Sequence, residues 1–440
     1  MRIEVQKLMH GQAFAKLRTF LLMLAVIGSP TVFAYGQSDK KADSKKNSVS
    51  SAAADLAAQN YNRARDLIAV NNWAEAEEKL DYVITEYPNS KYREQAFYWL
   101  AYVYKQQGKY QKAILLLNKL INDFPRSAWS DDARSLRAEL AAHVGDTEII
   151  NESLKSADNE EIKLAGLSSL FQVDPKEGLR RAIEILDSPA VADNINLREA
   201  VIVLIGKYGG EETSNVLLNI ARTERDSVTR TAAIISLKGR VNESVLRKLV
   251  ELVLKCDDNT VAETALFVIT GQENGRAAGE ALAQIVLLAD SPDTRKHAVH
   301  FLGKLKGGSG IDKLIRLLDA AQDIEVKREI LFTLSQTGNP VAQARVFKIS
   351  RLTDNLGLRE EGILSLGRFG DARIIERLIQ SYDAEPRDDV KILILLSLGK
   401  SKQKNALGKL MSAAQNEKSP VLRKKAAQLL KQRADSEAKK

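Results

Sequence analysis

Few residues in this 440-residue chain are equipped to act on a substrate or hold a metal. There are four histidines, His10, His143, His297 and His300, and one cysteine, Cys256. His297 and His300 stand three apart, a spacing that puts both on one face of a helix. No third histidine joins them and no carboxylate stands at metal-ligand spacing, so a metal site is not assigned. His300 also occupies a repeat position held elsewhere by Val203, Ile235, Phe267, Phe332, Leu364 and Leu396, which reads as a partly buried structural histidine. Cys256 precedes Asp257 and Asp258, neighbours that disfavour a thiolate, and a lone cysteine allows no internal disulfide. The chain has no phosphate-cradling glycine loop, no HExxH, no GxSxG and no paired zinc cysteines. No catalytic, cofactor-binding or metal-ligating residue is therefore assigned, and the residue set argues against an enzyme.

Binding chemistry is better represented. Aromatic residues make up only 6% of the chain, yet Tyr92, Phe97, Tyr98, Trp99, Tyr102, Tyr104 and Tyr110 fall close together. Helical packing absorbs most of such a group. The remainder can give a peptide rigid contact at small entropic cost, and Tyr92, Trp99, Tyr102 and Tyr110 are the candidate partner-binding residues. A second recurrent feature is basic: Lys163, Arg198, Arg230, Arg295, Lys327, Arg359, Lys391 and Arg423 recur at one repeat position, with Ala262 interrupting. Aspartates just upstream make intramolecular pairing the expectation there, ahead of an anionic ligand.

The elements carrying these residues are helical. Leu, Ala, Lys, Glu, Gln and Arg dominate, and no run of alternating β-branched residues occurs. From Trp73 onward the sequence repeats at 37 residues: Trp73/Tyr110, Ala76/Ala113, Leu80/Leu117, Ile84/Ile121, Tyr87/Phe124, Pro88/Pro125 and Ser90/Ser127. The alanines permit close helix approach, and the prolines stop the helices before them. These residues resemble tetratricopeptide repeats in the slightly lengthened form of bacterial envelope proteins. The resemblance implies two helical pairs and a closing helix over about 57–143.

A second array follows. Ile162, Leu197, Thr229, Val261, Thr294, Val326, Leu358, Val390 and Leu422 are anchors separated mostly by 32 residues. Apolar or small residues recur four and eight positions after each anchor, on one helix face. Three positions before it stand Asn159, Asn194, Asp226, Asp258, Ser291, Asp323, Asn355, Arg387 and Ser419, all but Arg387 suited to capping a helix. Leu358-REEGILSLGRFG-Gly370 and Val390-KILILLSLG-Gly399 are representative. This array resembles HEAT repeats of the short type first described in phycobilisome lyases, which implies a solenoid of helix pairs. Gly206, Gly303, Gly367 and Gly399 sit at one late helix position and suggest close helix contact. The fold class is therefore all-α, an α-α superhelix with a tetratricopeptide-like array followed by a HEAT-repeat solenoid.

At the N-terminus, Arg2, Lys7, Lys16 and Arg18 precede the apolar run Phe20–Ile27 and then Val32-Phe33-Ala34, the layout of a bacterial export signal. The run is too short to span a bilayer, and no cysteine follows it to carry a lipid. The expected layout is a signal peptide at 1–34, a disordered linker at 35–56, the tetratricopeptide-like domain at 57–143, a linker at 144–158, the HEAT solenoid at 159–432 and a basic tail at 433–440. The formal charge of +8 is interleaved with acids, which excludes a nucleic-acid stripe and leaves weak contact with an anionic surface. The expected function is a non-enzymatic scaffold or adaptor, periplasmic or secreted, binding a protein or peptide in the cell envelope. The alternatives are a lyase-type enzyme or accessory subunit acting on a cofactor-bearing protein, and cell-wall polymer binding.

Overall fold

The computed structural model describes residues 47–438 except 157–158, 209–211, 273 and 353–354. The expected signal peptide, and residues 35–46 of the expected linker, lie outside the described residues. Among those described, helices are the only regular structure. The chain divides into two compact units, one ending at Thr213 and one beginning at Ser214.

The first unit holds α1 (Asn47–Ala69), α2 (Trp73–Glu86), α3 (Arg93–Gln106), α4 (Tyr110–Asp123), α5 (Ser130–Val144), α6 (Thr147–Leu154), α7 (Glu160–Val173), α8 (Pro175–Asp187) and α9 (Ile195–Tyr208). Each helix packs on the next. Ala76 and Ala113 are fully buried, as close helix approach requires. The helix ends repeat with the sequence: Tyr87 N–H reaches Val83 O at 3.3 Å, and Phe124 N–H reaches Leu120 O at 3.0 Å. Gly108 turns the chain at φ +72°, a conformation costly to side chains other than glycine's.

Parts of the two expected linkers are helical. Residues 47–56 belong to α1, where Ala52, Ala53 and Ala54 propagate a helix anchored by the buried Tyr61, Ala64 and Leu67. Residues 147–154 form α6, capped by Asp146, whose carboxylate accepts from Glu148 N (3.1 Å) and Ile149 N (3.0 Å). Ile149 and Ile150 are buried there, and one hydrophobic core runs from Tyr61 to Leu170. Polarity and lost periodicity concealed α6, a single short helix with only two strongly apolar core residues. Ser169 Oγ ties α7 to α5 through Ala138 O at 2.6 Å.

The second unit contains α10 (Thr213–Thr223), α11 (Ser227–Ser236), α12 (Glu243–Lys255), α13 (Asn259–Thr270), α14 (Gly275–Leu288), α15 (Pro292–Gly303), α16 (Ser309–Ala320), α17 (Ile324–Ser335), α18 (Pro340–Leu352), α19 (Leu356–Phe369), α20 (Ala372–Ala384), α21 (Asp388–Lys400), α22 (Lys404–Asn416) and α23 (Pro420–Ala438). Its last helix carries the expected basic tail as far as Ala438. The odd-numbered helices α11 to α23 pack one on the next in a layer, and α12, α14, α16 and α18 do likewise in a second.

All nine anchors are buried. So are the residues four positions on, and so are those eight positions on except Leu430, which is half-buried. The caps form as their residue types require: Asn159, Asn194, Asp226, Asp258, Ser291, Asp323 and Asn355 each accept from a backbone N–H of their own first turn. Arg387, without an oxygen to offer, makes no such bond. A Cβ on Gly303 would strike Thr333, and one on Gly367 would strike Ser397, each in the next helix of the layer.

Candidate partner-binding site

The 37-residue repeat of the first unit brings rings together as well as core residues. Tyr61 on α1 stacks on Tyr92 before α3, with centroids 5.0 Å apart and planes at 25°. Thirty-seven residues on, Tyr98 on α3 meets Trp129 before α5 at 5.1 Å. The approach is set by the turn preceding each ring. Tyr92 N–H donates to Ser90 Oγ at 3.2 Å, and Trp129 N–H donates to Ser127 Oγ at 3.1 Å. The turns are superimposable in sequence, so each places an aromatic side chain against the helix before it. A further step from Tyr98 and Trp129 reaches Ser135 and Gly166, where the series ends.

Trp99 joins the two pairs. The Arg65 guanidinium lies over its ring, 3.9 Å from the centroid, and Arg65 Nη1 also donates to the Tyr61 hydroxyl at 3.3 Å. Tyr102 presents its edge to Trp99 at 5.5 Å and in turn meets Trp73 at 6.4 Å. Tyr92, Tyr61, Arg65, Trp99, Tyr102 and Trp73 thus form one connected run, with Tyr98 and Trp129 against Trp99. Tyr61 is buried, and the others are partly buried, each keeping some surface open to solvent. Three of the four candidate residues, Tyr92, Trp99 and Tyr102, are brought into this run. Tyr110 is not: it stacks on His143 at 4.3 Å, with planes 12° apart.

Acidic groups edge the run. Burial, then the Asp132 and Glu139 carboxylates, push the Tyr98 phenol well above its ordinary range. Burial also raises Tyr102, against a hydrogen bond with Gln106. Glu139 is paired to Lys105 at 2.7 Å, whereas Asp132 is raised by burial and by its neighbour Asp131. Sequence inspection did not count Tyr61, Arg65, Trp73 or Trp129 among the binding residues. Extending the 37-residue step backward from Tyr98 to Tyr61, and forward from Tyr92 to Trp129, is the signal that finds two of them.

The other sequence features resolve differently. Most of the basic series turns inward: Arg198 Nη1 donates to Leu186 O (2.7 Å) and Arg230 Nε to Ala221 O (2.8 Å). Arg295 pairs with Asp323 at 3.1 Å, Arg359 with Glu385 at 2.9 Å, and Lys391 with Glu417 at 3.6 Å. These are bonds to turns and neighbouring helices. His300 is half-buried, its pKa held down by burial and by the charges of Lys304 and His297. Among the described residues no group of three or more metal-ligating side chains gathers. The acidic neighbours of Cys256 do not set its surroundings alone, because Arg230 Nη2 donates to Sγ at 3.4 Å. The thiol opens on a cleft of about 450 Å³ also lined by Arg222, Lys248 and Lys255.

Residues 53–165 match the family described as outer membrane lipoprotein, and residues 311–399 match HEAT repeats. No curated protein matches the chain. Among solved structures, human deoxyhypusine hydroxylase is 16% identical over 60% of this chain and 97% of its own, with a TM-score of 0.26. The YIBA protein of E. coli is 18% identical over 63% of this chain and 99% of its own, with a TM-score of 0.29. The C. elegans myosin chaperone UNC-45, solved with an Hsp90 peptide, is 13% identical over 85% of this chain and 55% of its own, with a TM-score of 0.33. The fold and the two family matches together make the chain a tetratricopeptide-type helical array followed by HEAT repeats.

Proposed function

We propose that the protein is a non-enzymatic, protein-binding scaffold or adaptor of the bacterial cell envelope, exported to the periplasm or beyond. Its front array engages a peptide, or the edge of a partner protein, over the aromatic run. The observation that carries this reading is the partly buried run Tyr92–Tyr61–Arg65–Trp99–Tyr102–Trp73, set within the segment that matches an outer membrane lipoprotein family. Partly exposed aromatic rings on rigid helices are what binding hot spots are made of. Tyr92, Trp99 and Tyr102 serve as one surface, and Tyr110 contributes at its own stack with His143.

The full chain, tagged and cross-linked in an envelope extract, should capture a specific protein. Tyr102→Ala, which removes a partly buried ring, should cut recovery at least about tenfold without changing the helical circular dichroism. Equal recovery by both forms would remove the aromatic run from the binding surface.

The 32-residue step supports the short HEAT subtype of the phycobilisome lyases as a relation of fold. A lyase-type activity on a cofactor-bearing protein would require turnover of such a substrate by the purified chain. Contact with an anionic surface or wall polymer rests on the lysine-rich stretch Lys40, Lys41, Lys45 and Lys46 and on the basic end from Arg423 to Lys440. It should weaken steeply as salt rises, in contrast to capture by the aromatic run.

A further inference from the structure

In the second unit, the position six residues after the anchor is apolar on five of seven helices, His300 and Gln428 being the exceptions, and on three of the five it is turned to solvent. Ile235, Phe267 and Phe332 are 41%, 46% and 38% exposed, and His300, Leu364 and Leu396 at the same position are half-buried. They lie on α11, α13, α15, α17, α19 and α21, each helix packed on the next, so together they form one apolar rail across the layer. Helix periodicity places two charged rails beside it. Three or seven residues earlier stand Asp293, Glu325, Glu329 and Asp389 and the buried Glu361, acids that outnumber the Lys296 and Arg328 set among them four residues earlier. Four residues later stand Lys304, Arg368 and Lys400.

We propose that this face docks an amphipathic α-helix of a partner protein whose apolar residues recur every seventh position. Such a helix carries basic side chains on the flank over the acidic rail and acidic ones on the flank over the basic rail. The spacing selects the occupant. Packed helices stand about 8–10 Å apart, and seven residues of helix rise about 10.5 Å, so one apolar side chain meets each layer helix. An extended strand covers that distance in about three residues, and successive contacts would then point to opposite faces. The flanks select its orientation, because charges on the partner must oppose those of the rails. The Arg368 guanidinium lies 4.7 Å from the Phe332 ring centroid and pairs with the buried Glu361 across the apolar rail. This surface owes nothing to the aromatic run of the first unit.

The test titrates the purified full chain into a fluorescent synthetic helix of about 35 residues, long enough to cross the rail. The peptide has leucine at every seventh position, lysine on one flank and glutamate on the other, and binding is read by anisotropy. A peptide of the same composition with leucine every fifth position should bind at least about tenfold more weakly. Phe267→Ser with Phe332→Ser, both exposed sites, should weaken the heptad peptide about tenfold with helical circular dichroism unchanged. Lys304→Glu with Lys400→Glu should weaken it as well, while improving binding of a peptide with its flanks exchanged. Tyr102→Ala should leave all of these affinities as they were. The proposal falls if the heptad peptide does not bind, if both peptides bind alike, if the substitutions on the rails change nothing, or if Tyr102→Ala abolishes binding.

Discussion

At Trp99 an indole lies beneath a guanidinium and against the edges of three other aromatic rings. The chain has three tryptophans, Trp73, Trp99 and Trp129, and all of them belong to this cluster. Tryptophan emission therefore reports on the site alone. A bound peptide that covers the cluster should shift the emission maximum and reduce its quenching by acrylamide. An unchanged spectrum on saturation would place the peptide elsewhere. A different residue-scale test lies at Glu329. Burial, and secondarily the Glu361 carboxylate, push its pKa up, against the pull of Lys296 and His297. A carboxyl raised in the folded state stabilises below the ordinary glutamate range and loses that contribution as pH rises through the raised value. Glu329→Gln should therefore raise the melting temperature at neutral pH, and the gain should vanish in acid where both side chains are neutral. A gain that persists unchanged at low pH would contradict this assignment.

At the scale of the element, glycine separates packing constraint from helix propensity. A Cβ on Gly367 would stand 2.6 Å from the carbonyl oxygen of Ser397 on the neighbouring helix. Gly367→Ala should destabilise the second unit by about 2 kcal/mol, read from urea unfolding. Gly408, inside α22, has nothing within 4 Å of the same atom. Gly408→Ala should stabilise by about 0.5–1 kcal/mol, since only backbone entropy changes. Opposite signs for two helical glycines separate contact from propensity, and matching signs would deny the close approach at Ser397. The same scale explains the basic series. A long side chain projecting at a helix start reaches the turn or acid of an adjacent helix, as Arg359 reaches Glu385. The arginines of the series and Lys391 are thus committed to joining the helices.

For the whole molecule, the layout of sequence repeats and the grouping of contacts differ. The period changes from 37 to 32 near residue 160, but the core runs through to Leu170 and the compact units divide at Thr213 and Ser214. A short helix, α6, fills the interval between the arrays and buries Ile149 and Ile150. Export belongs to this scale also. Expressed in a bacterial host, the chain should be recovered from the periplasm with a new N-terminus at or near Tyr35, identified by mass spectrometry of the intact protein. Recovery from the cytoplasm with Met1 or Arg2 at the terminus would contradict the signal.

The sequence by itself determined the helical class, both periods, the capping residues and the buried faces. These follow from local spacing: a side chain four or eight positions on must share a helix face, and Asn or Asp before a helix can satisfy its free N–H groups. Tertiary structure decided which aromatic residues meet. Arg65 and Trp99 lie on different helices, and Tyr110 turns to His143 instead of the run. It likewise decided that Phe267 and Phe332 face solvent, although they repeat as regularly as core residues. Periodicity fixes the direction of a side chain about its own helix axis. Whether another helix stands in that direction depends on how the layers stack.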